Sequence, residues 1–273
     1  MTNLLPNKLY QYASVASWGI SNNQLKQKLK TFKNKHSSKP ALIIGNGPSI
    51  NSQDMSKINL FVSYAANSYF LKSNQTNVHP NYLTVEDPLP AQDYAKEIKD
   101  YVHATKFAPY DLRPIFGDHS DINYLNFLRS YRPFAGPYFP WFSNDVSRIA
   151  FWGGTVVFLN IQLARYMGCN PIYFTGMDLN YKIPDDALID GTIITSMSSD
   201  PNHFSSEYFG PGKRWHLPYT DVMQKCLQNA CYKLKQQGIS VFNLTNGGNF
   251  NSIPRANFDD IVIELEKNTV TLS

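Results

Sequence analysis

Short apolar runs alternate with segments of helical periodicity along most of this chain, between residues 40 and 243. Each run is short, branched or aromatic in character, and bounded by polar residues, glycine or proline, as is typical of strands buried on both faces of a parallel sheet. The predicted strands are 41–44, 60–64, 82–85, 171–175 and 239–243.

Helical spacing fills the intervals. It is clearest over 156–167, where the apolar positions cover more than one stripe, so this helix is predicted to be buried. The other predicted helices are 24–35, 49–57, 67–72, 91–104, and one from Thr220 or Asp221 to Gln237. Residues 105–141, rich in proline and aromatics, receive no assignment.

This alternation predicts an α/β fold with a doubly wound, mostly parallel, Rossmann-like sheet. Residues 1–39 are predicted to be an N-terminal extension with a basic helix, and residues 40–273 to form the main domain. About forty residues, 179–218, have no sustained period, and a loop of that length is usually functional or disordered. We therefore predict that 179–218 form a lid-like segment.

Glycines and residues with polar side chains directly follow several of the predicted strands. Because right-handed crossovers place the carboxyl ends of parallel strands along one edge, these residues are expected to meet in one crevice. They are Gly45 to Ser49, Asn67, Glu86 and Asp87, Gly176 to Asp178, and Asn246 to Gly248.

The turn after the first strand reads Gly45-Asn46-Gly47-Pro48-Ser49. Glycine tolerates positive φ, proline suits the first turn of a helix, and serine suits its cap. A strand, a glycine turn and a helix N-terminus together favour an anionic phosphate. An ordinary strand-to-helix turn fits equally well, since the pattern is neither GxGxxG nor a P-loop.

Composition narrows the classes of function. The 273 residues carry a net charge of +4, too small and scattered to indicate nucleic-acid binding. Three cysteines, Cys169, Cys226 and Cys231, form no CxxC pair, which fits a reducing cytoplasm.

No apolar run is long enough to span a bilayer. A cytoplasmic location is expected, and the basic helix 24–35 leaves peripheral contact with an anionic membrane open beside a solvated role.

Polar side chains at the strand ends are candidates for ligand binding. Asn46 and Asn67 suit hydrogen bonds to a ribose or a base, and both equally suit turns. Asp87 suits ribose hydroxyls or a turn before Pro88. Asp178 suits sugar hydroxyls, a metal or a capping role.

The lid segment is dense in reactive side chains. Lys213 and Arg214 are expected to neutralise a phosphate, and a histidine, His203 or His216, to remove a proton near neutral pH. The sequence contains no GxSxG elbow, HExxH helix, Cys/His cluster or DxD pair after a strand. No metal and no bound cofactor are therefore predicted.

In order and spacing, these motifs resemble the bacterial metal-independent sialyltransferases that use CMP-sialic acid. They also resemble the wider superfamily of motility accessory factors and 6-hydroxymethylpterin pyrophosphokinase-like proteins. The resemblance covers about residues 41–250 and implies a GT-A-variant fold. The motifs are Ile44-Gly45-Asn46-Gly47-Pro48-Ser49, Ala66-Asn67-Ser68-Tyr69-Phe70, Gly153-Gly154-Thr155, Tyr173-Phe174-Thr175-Gly176-Met177-Asp178 and His216.

The resemblance implies a role for each matching residue. His216 matches the general base, whereas the second of two phosphate-stabilising tyrosines is missing from its expected place. Tyr181, Tyr208, Lys213 and Arg214 are the candidate substitutes. The implied donor-binding residues are Gly45, Asn46, Gly47, Pro48, Ser49, Asn67, Asp87, Gly153, Gly154, Thr155, Gly176 and Asp178.

The hypothesis is a glycosyltransferase that moves a sialic-acid-like sugar (a nonulosonate or related) from a CMP-activated donor to a glycan hydroxyl. The CMP-sugar would be a substrate, not a cofactor, and the resemblance also implies a homo-oligomer. One alternative is a pterin-type pyrophosphokinase that uses ATP and Mg²⁺, with Asp87 and Asp178 as ligands. The other is a nucleotide- or glycan-binding module without activity, which the missing tyrosine favours.

Overall fold

The computed structural model of the protein describes residues 4–271, and the side chains of residues 9–268. The helices are α1 (Leu4–Ser21), α2 (Asn23–Lys30), α3 (Phe70–Thr76), α4 (Pro88–Asp93), α5 (Ala95–Asp100), α6 (Arg113–Phe116), α7 (Arg132–Ala135), α8 (Val156–Tyr166), α9 (Thr220–Gln236) and α10 (Phe258–Thr271). Short 3₁₀ helices are Pro48–Ser52, Met55–Leu60, Tyr110–Leu112 and Gly136–Tyr138. The strands are β1 (Ala41–Ile44), β2 (Val62–Ala66), β3 (Tyr82–Thr84), β4 (Thr105–Pro109), β5 (Ile122–Leu125), β6 (Phe127–Leu128), β7 (Ala150–Phe151), β8 (Ile172–Thr175), β9 (Leu188–Asp190), β10 (Ile193–Thr195), β11 (Arg214–His216) and β12 (Val241–Asn243).

One seven-stranded sheet organises the described residues, in the order β12-β8-β1-β2-β3-β4-β5. Every neighbouring pair in it is parallel. The chain moves outward from β1 to β5 and then crosses to β8 on the other side of β1. The α/β doubly wound prediction is confirmed, and the topological switch point lies between β1 and β8, where such folds bind ligands.

Alternating residues of β1 pack into two hydrophobic clusters, one on each face of the sheet. Ala41 and Ile43 join the cluster that contains the buried residues of α8 and α9. Leu42 and Ile44 join the cluster that contains Phe258 of α10. The period of two along a strand produces this division, and burial on both faces explains why β1 is apolar throughout.

Two strands of the sheet, β4 and β5, lie in the stretch that the sequence left unassigned. Strand β4 contains a buried charge, because Lys106 points its ammonium group at Asp121, 2.5 Å away. The same Nζ also donates to the carbonyl oxygens of Ile98 and Lys99. With these three partners the ammonium group of Lys106 can be buried. A lysine in the strand nevertheless interrupts the apolar run by which a buried strand is recognised in a sequence.

Several predicted helices are wrong in extent or type. Residues 49–57 form two 3₁₀ segments instead of an α-helix. The helix predicted from Asn67 begins at Phe70, since Asn67 adopts a left-handed conformation with φ 51°. The predicted 91–104 helix is divided at Tyr94 into α4 and α5. The basic helix ends at Lys30, and α10 was not predicted.

The N-terminal residues pack on the sheet. Trp18, Leu29 and Phe32 are buried in the same cluster as Ala41. Residues on both sides of the boundary predicted at residue 39 therefore share one hydrophobic core. Within residues 4–271 no helix has both the length and the apolar character that crossing a membrane requires.

The lid segment, residues 179–218, is ordered around a small antiparallel sheet in the order β11-β10-β9. Each of these strands is three residues long, too short to produce a recognisable period. The segment is tied to the turn after β1, because the Phe204 N–H donates to the Asn46 carbonyl at 2.9 Å. The lid therefore covers the carboxyl ends of the strands.

Candidate functional site

A cleft of about 400 Å³ lies between the carboxyl ends of the sheet strands and the lid segment. Its volume is within the usual range for small-molecule sites. Predicted site residues that line it are Gly45, Asn46, Gly47, Asn67, Asp87, Gly154, Thr155, Gly176, Asp178, Tyr181, Tyr208 and His216. Those that do not line it are Pro48, Ser49, Gly153, Lys213 and Arg214.

Three glycines, Gly45, Gly47 and Gly176, lie where the ends of β1 and β8 come into close contact. The Gly45 N–H donates to the Thr175 carbonyl at 2.8 Å, and the Gly47 N–H donates to the Gly176 carbonyl at 3.1 Å. A Cβ atom on Gly45 would lie 2.3 Å from the Gly176 oxygen. Gly176 itself has φ +67°. The glycines at this switch point are therefore required by backbone packing.

Asp178 occupies the turn after β1, for which the sequence left open a phosphate site or an ordinary strand-to-helix turn. The Ser49 hydroxyl donates to Oδ2 of Asp178 at 2.6 Å, and the Ser49 N–H donates to Oδ1 at 3.3 Å. A Cβ on Gly47 would lie 1.8 Å from Oδ2. The Asp178 carboxylate thus takes the Ser49 donors that a phosphate would use, which favours the second alternative, an ordinary turn.

Asn46 and Asn67 line the cleft, and the amide oxygen of each is buried without a hydrogen-bond partner among the described residues. Nδ2 of Asn46 donates to the Tyr208 hydroxyl at 2.8 Å and to the Ala66 carbonyl at 3.3 Å. The Oδ1 atoms of Asn46 and Asn67 are both buried, and neither has a hydrogen-bond partner among the described residues. Burying an unpaired amide oxygen is costly, so a bound ligand with N–H or O–H donors would stabilise this arrangement.

His216 ends strand β11 and is oriented by Asp87. The Nδ1 atom lies 2.9 Å from Oδ2 of Asp87. The other oxygen of Asp87 accepts the Leu89 N–H at 2.9 Å and so caps α4, which fixes the carboxylate. The hydrogen bond with Asp87 raises the pKa of His216, against the opposing effect of burial. Because Nδ1 of His216 is bound to Asp87, Nε2 is the ring nitrogen that remains to take part in a reaction.

A buried carboxyl group lies beside this pair. Glu86 is 4% exposed, and burial raises its pKa to about 7. The Arg129 guanidinium lies 3.5 Å from Oε1 of Glu86 and also pairs with Asp111 at 2.5 Å. Arg129 lines the cleft and was missed because it lies in the unassigned stretch 105–141, where no periodic pattern indicates its position.

Lys213 and Arg214 do not face the cleft, which corrects the prediction that they neutralise a phosphate there. The Arg214 guanidinium pairs with Asp93 at 2.5 Å, and its backbone N–H donates to the same carboxylate at 2.8 Å. Lys213 donates to the Asp93 carbonyl and lies 3.9 Å from the centre of the Tyr94 ring. Both side chains hold β11 against the C-terminal end of α4.

His203 is a second lid histidine in the cleft. Its Nδ1 atom lies 2.7 Å from Oδ2 of Asp200, and its ring stacks on Tyr208. Burial raises the pKa of Tyr208 well above its usual value and the pKa of Tyr181 to about 12. Both phenols are therefore neutral hydrogen-bonding groups at neutral pH.

The N-terminus of α8 also borders the cleft through Gly154, Thr155 and the first residues of the helix. The Thr155 hydroxyl accepts the Val157 N–H at 3.3 Å and caps the helix. Gly153 has a packing role, since a Cβ there would lie 2.2 Å from the Phe158 ring. The positive end of the helix dipole at this position favours a negatively charged ligand group.

No group of three or more His, Cys, Asp and Glu side chains in the described part of the chain is arranged to hold a metal ion. The carboxylates of Asp87 and Asp178, which the pyrophosphokinase hypothesis needs as ligands, are each hydrogen-bonded to protein groups.

Comparison with known proteins gives one family and two solved structures. Residues 19–184, more than half of the chain, match the family described as 6-hydroxymethylpterin diphosphokinase MptE-like. No curated protein matches the sequence. The MAf glycosyltransferase of Magnetospirillum magneticum AMB-1 is 14% identical with a TM-score of 0.49, over 91% of this chain and 42% of the other. This chain thus spans less than half the length of that protein.

The second structure is that of the sialyltransferase CstII from Campylobacter jejuni in complex with a substrate analogue, cytidine-5'-monophosphate. It is 17% identical with a TM-score of 0.46, over 81% of this chain and 86% of the other.

Proposed function

The chain belongs to the 6-hydroxymethylpterin diphosphokinase MptE-like family, and we propose that this member is a metal-independent glycosyltransferase. Its donor is a CMP-activated, sialic-acid-like sugar (a nonulosonate or related), its acceptor is a glycan hydroxyl, and His216 is the general base. The observation that carries this proposal is the imidazole of His216, oriented by Asp87 inside a cleft at the switch point of the sheet.

The nucleotide half of the donor is assigned to the sheet side of the cleft. The buried, unpaired Oδ1 atoms of Asn46 and Asn67 suit ribose hydroxyls or the amino group of cytosine. The N-terminus of α8 suits the phosphate, and Arg129 lines the same cleft, although its guanidinium also pairs with Glu86 and Asp111. This assignment replaces Lys213 and Arg214, which face α4.

In the proposed reaction the protein contributes little covalent chemistry of its own. Nε2 of His216 accepts the proton of the acceptor hydroxyl as that oxygen attacks the anomeric carbon and the bond to the phosphate oxygen breaks. Asp87 keeps the proton on Nδ1, which leaves the Nε2 lone pair for the acceptor. Positioning of the two substrates and stabilisation of the departing phosphate supply the rest of the acceleration.

Release of CMP from a CMP-activated nonulosonate, measured with and without EDTA, tests this proposal. We expect release that depends on a glycan acceptor and that EDTA leaves unchanged. An absence of CMP release with any CMP-activated donor, alongside EDTA-sensitive consumption of ATP, would reject it.

The family description favours a second candidate, a diphosphokinase that uses ATP and Mg²⁺ with Asp87 and Asp178 as metal ligands. The contacts of these two side chains argue against it, since Asp87 pairs with His216 and Asp178 with Ser49.

The missing second tyrosine supports a third candidate, an inactive module that binds CMP but never turns a donor over. A homo-oligomer and a cytoplasmic location, peripheral to a membrane, complete the proposal.

A further inference from the structure

The lid segment contributes a second histidine–carboxylate pair to the cleft. Nδ1 of His203 lies 2.7 Å from Oδ2 of Asp200, and the two side chains are 9% and 2% exposed. Asp200 also accepts the N–H groups of Asn202 at 2.7 Å and Phe209 at 3.0 Å. Because the Asp200 carboxylate is buried and accepts several hydrogen bonds, the fold holds it in one position, unlike an ion pair on a protein surface.

Aromatic neighbours fix the plane of the His203 ring. It stacks on Tyr208 with centroids 4.2 Å apart and 7° between the planes, and Phe209 meets it edge-on at 5.0 Å. Since Nδ1 is engaged by Asp200, Nε2 is the remaining polar atom of the ring. No hydrogen bond to Nε2 comes from any residue that the structure describes. His203 lines the cleft, so this nitrogen is available to a bound ligand.

The two cleft histidines lie against different walls. His203 is next to Phe204, whose N–H bonds the Asn46 carbonyl, and it stacks on the tyrosine that Asn46 contacts. It therefore belongs to the wall assigned to the nucleotide. His216 lies against the start of α4 and its side chain is 40% exposed, which suits the side from which an acceptor enters.

We propose that His203 is the general acid of the transfer, donating its Nε2 proton to the departing phosphate while His216 accepts the proton of the acceptor. This inference rests on the proposed glycosyltransferase function. The acceptor oxygen bonds to the anomeric carbon, and the electron pair of the broken bond moves to the phosphate oxygen. That oxygen receives the proton of His203, and exchange with water restores both imidazoles.

The surroundings of His203 suit an acid. Asp200 is bound to Nδ1, so the proton that reaches the phosphate is the one on Nε2. The other titratable groups against the ring are Tyr181, at 6.3 Å, and the stacked Tyr208, both neutral at neutral pH. This acid takes the place of the phosphate-stabilising tyrosine that the sequence lacks.

Two variants separate acid catalysis from a structural role. His203→Gln keeps an N–H that can reach Asp200 but loses the stacked ring, whereas His203→Phe keeps the stack but loses the hydrogen bond. Neither donates a proton to phosphate. We expect both to lower kcat for CMP release on the order of 10²-fold, within the usual range for a general acid, with CMP affinity nearly unchanged. Met197→Ala, an exposed lid variant outside the cleft, should keep the wild-type rate.

The split between kcat and CMP affinity provides a readout that a structural role alone would not produce. Both variants should lose kcat and keep their CMP affinity, because the proposed acid acts on the departing phosphate. A variant of His203 that keeps the full kcat overturns the proposal, and so does a variant that loses CMP affinity as much as it loses kcat. Wild-type protein that releases no CMP contradicts the glycosyltransferase itself, which distinguishes the two failures.

Discussion

A His216→Gln variant is expected to lose on the order of 10²- to 10⁴-fold in turnover, the usual contribution of a general base. Its affinity for CMP should stay close to wild type, because the proposed base contacts the acceptor and not the nucleotide. Initial rates of CMP release, together with calorimetric titration of CMP, measure both quantities. His119→Gln is a matched control, since His119 is exposed and does not line the cleft.

Asp87 gives this prediction a pH dependence. A base must be neutral, so kcat/KM falls as the pH drops below the pKa of His216. Asp87 raises that pKa, and Asp87→Asn should therefore move the acidic limb to lower pH while it also reduces the plateau rate. A His216→Gln variant with the wild-type rate, or an acidic limb that Asp87→Asn leaves in place, would contradict the role of His216.

The second large effect is expected at the switch point, where Gly45→Ala would destabilise the whole domain. The added Cβ would lie 2.3 Å from the carbonyl oxygen of Gly176, and neither backbone segment can move without disturbing β1 or β8. Overpacking of this kind costs about 3 kcal/mol. At about 2–4 °C per kcal/mol, the Tm should fall by roughly 6–12 °C.

Gly19→Ala is the control for this substitution. Gly19 lies within α1, and a Cβ there would meet only the flexible end of Lys26, 3.3 Å away. Alanine is the better helix former, so the Tm should stay the same or rise slightly. Equal Tm values for Gly45→Ala and the wild type would show that the close approach of β1 and β8 is not required.

Much of the site could be predicted because strand ends of a parallel sheet converge whatever their separation in sequence. Asn46, Asn67 and Gly176 follow β1, β2 and β8, and all three line the cleft. His216 could be predicted because of its motif and its place before α9. These inferences needed only the apolar runs, the breaks between them and the connection rule for parallel strands.

Other features depend on contacts that no local pattern encodes. The sequence places Arg214 two residues before His216, so both side chains lie on the same face of β11. In the structure this face of β11 lies along α4, where the carboxylate of Asp93 pairs with Arg214 and the carboxylate of Asp87 pairs with His216. The partners that decide whether a basic side chain faces the ligand or the protein come from a distant helix.

The contacts of three other charged side chains could not be predicted for a related reason. Lys106 interrupts the apolar run of β4 because its ammonium group reaches Asp121 and two carbonyl oxygens. Arg129 follows a two-residue strand, β6, which has no recognisable period. Asp178 pairs with Ser49 across the switch point, so a residue suited to sugar or metal instead holds the turn.

Calorimetric titration of the full chain with CMP tests the central claim most directly, namely that the cleft at the switch point binds a cytidine nucleotide through Asn46 and Asn67. We predict one CMP per chain, weaker binding of UMP, and a loss of about ten-fold in affinity for Asn46→Ala, the value of one hydrogen bond to a buried group. A titration in which CMP gives no binding while ATP with Mg²⁺ does would contradict this account.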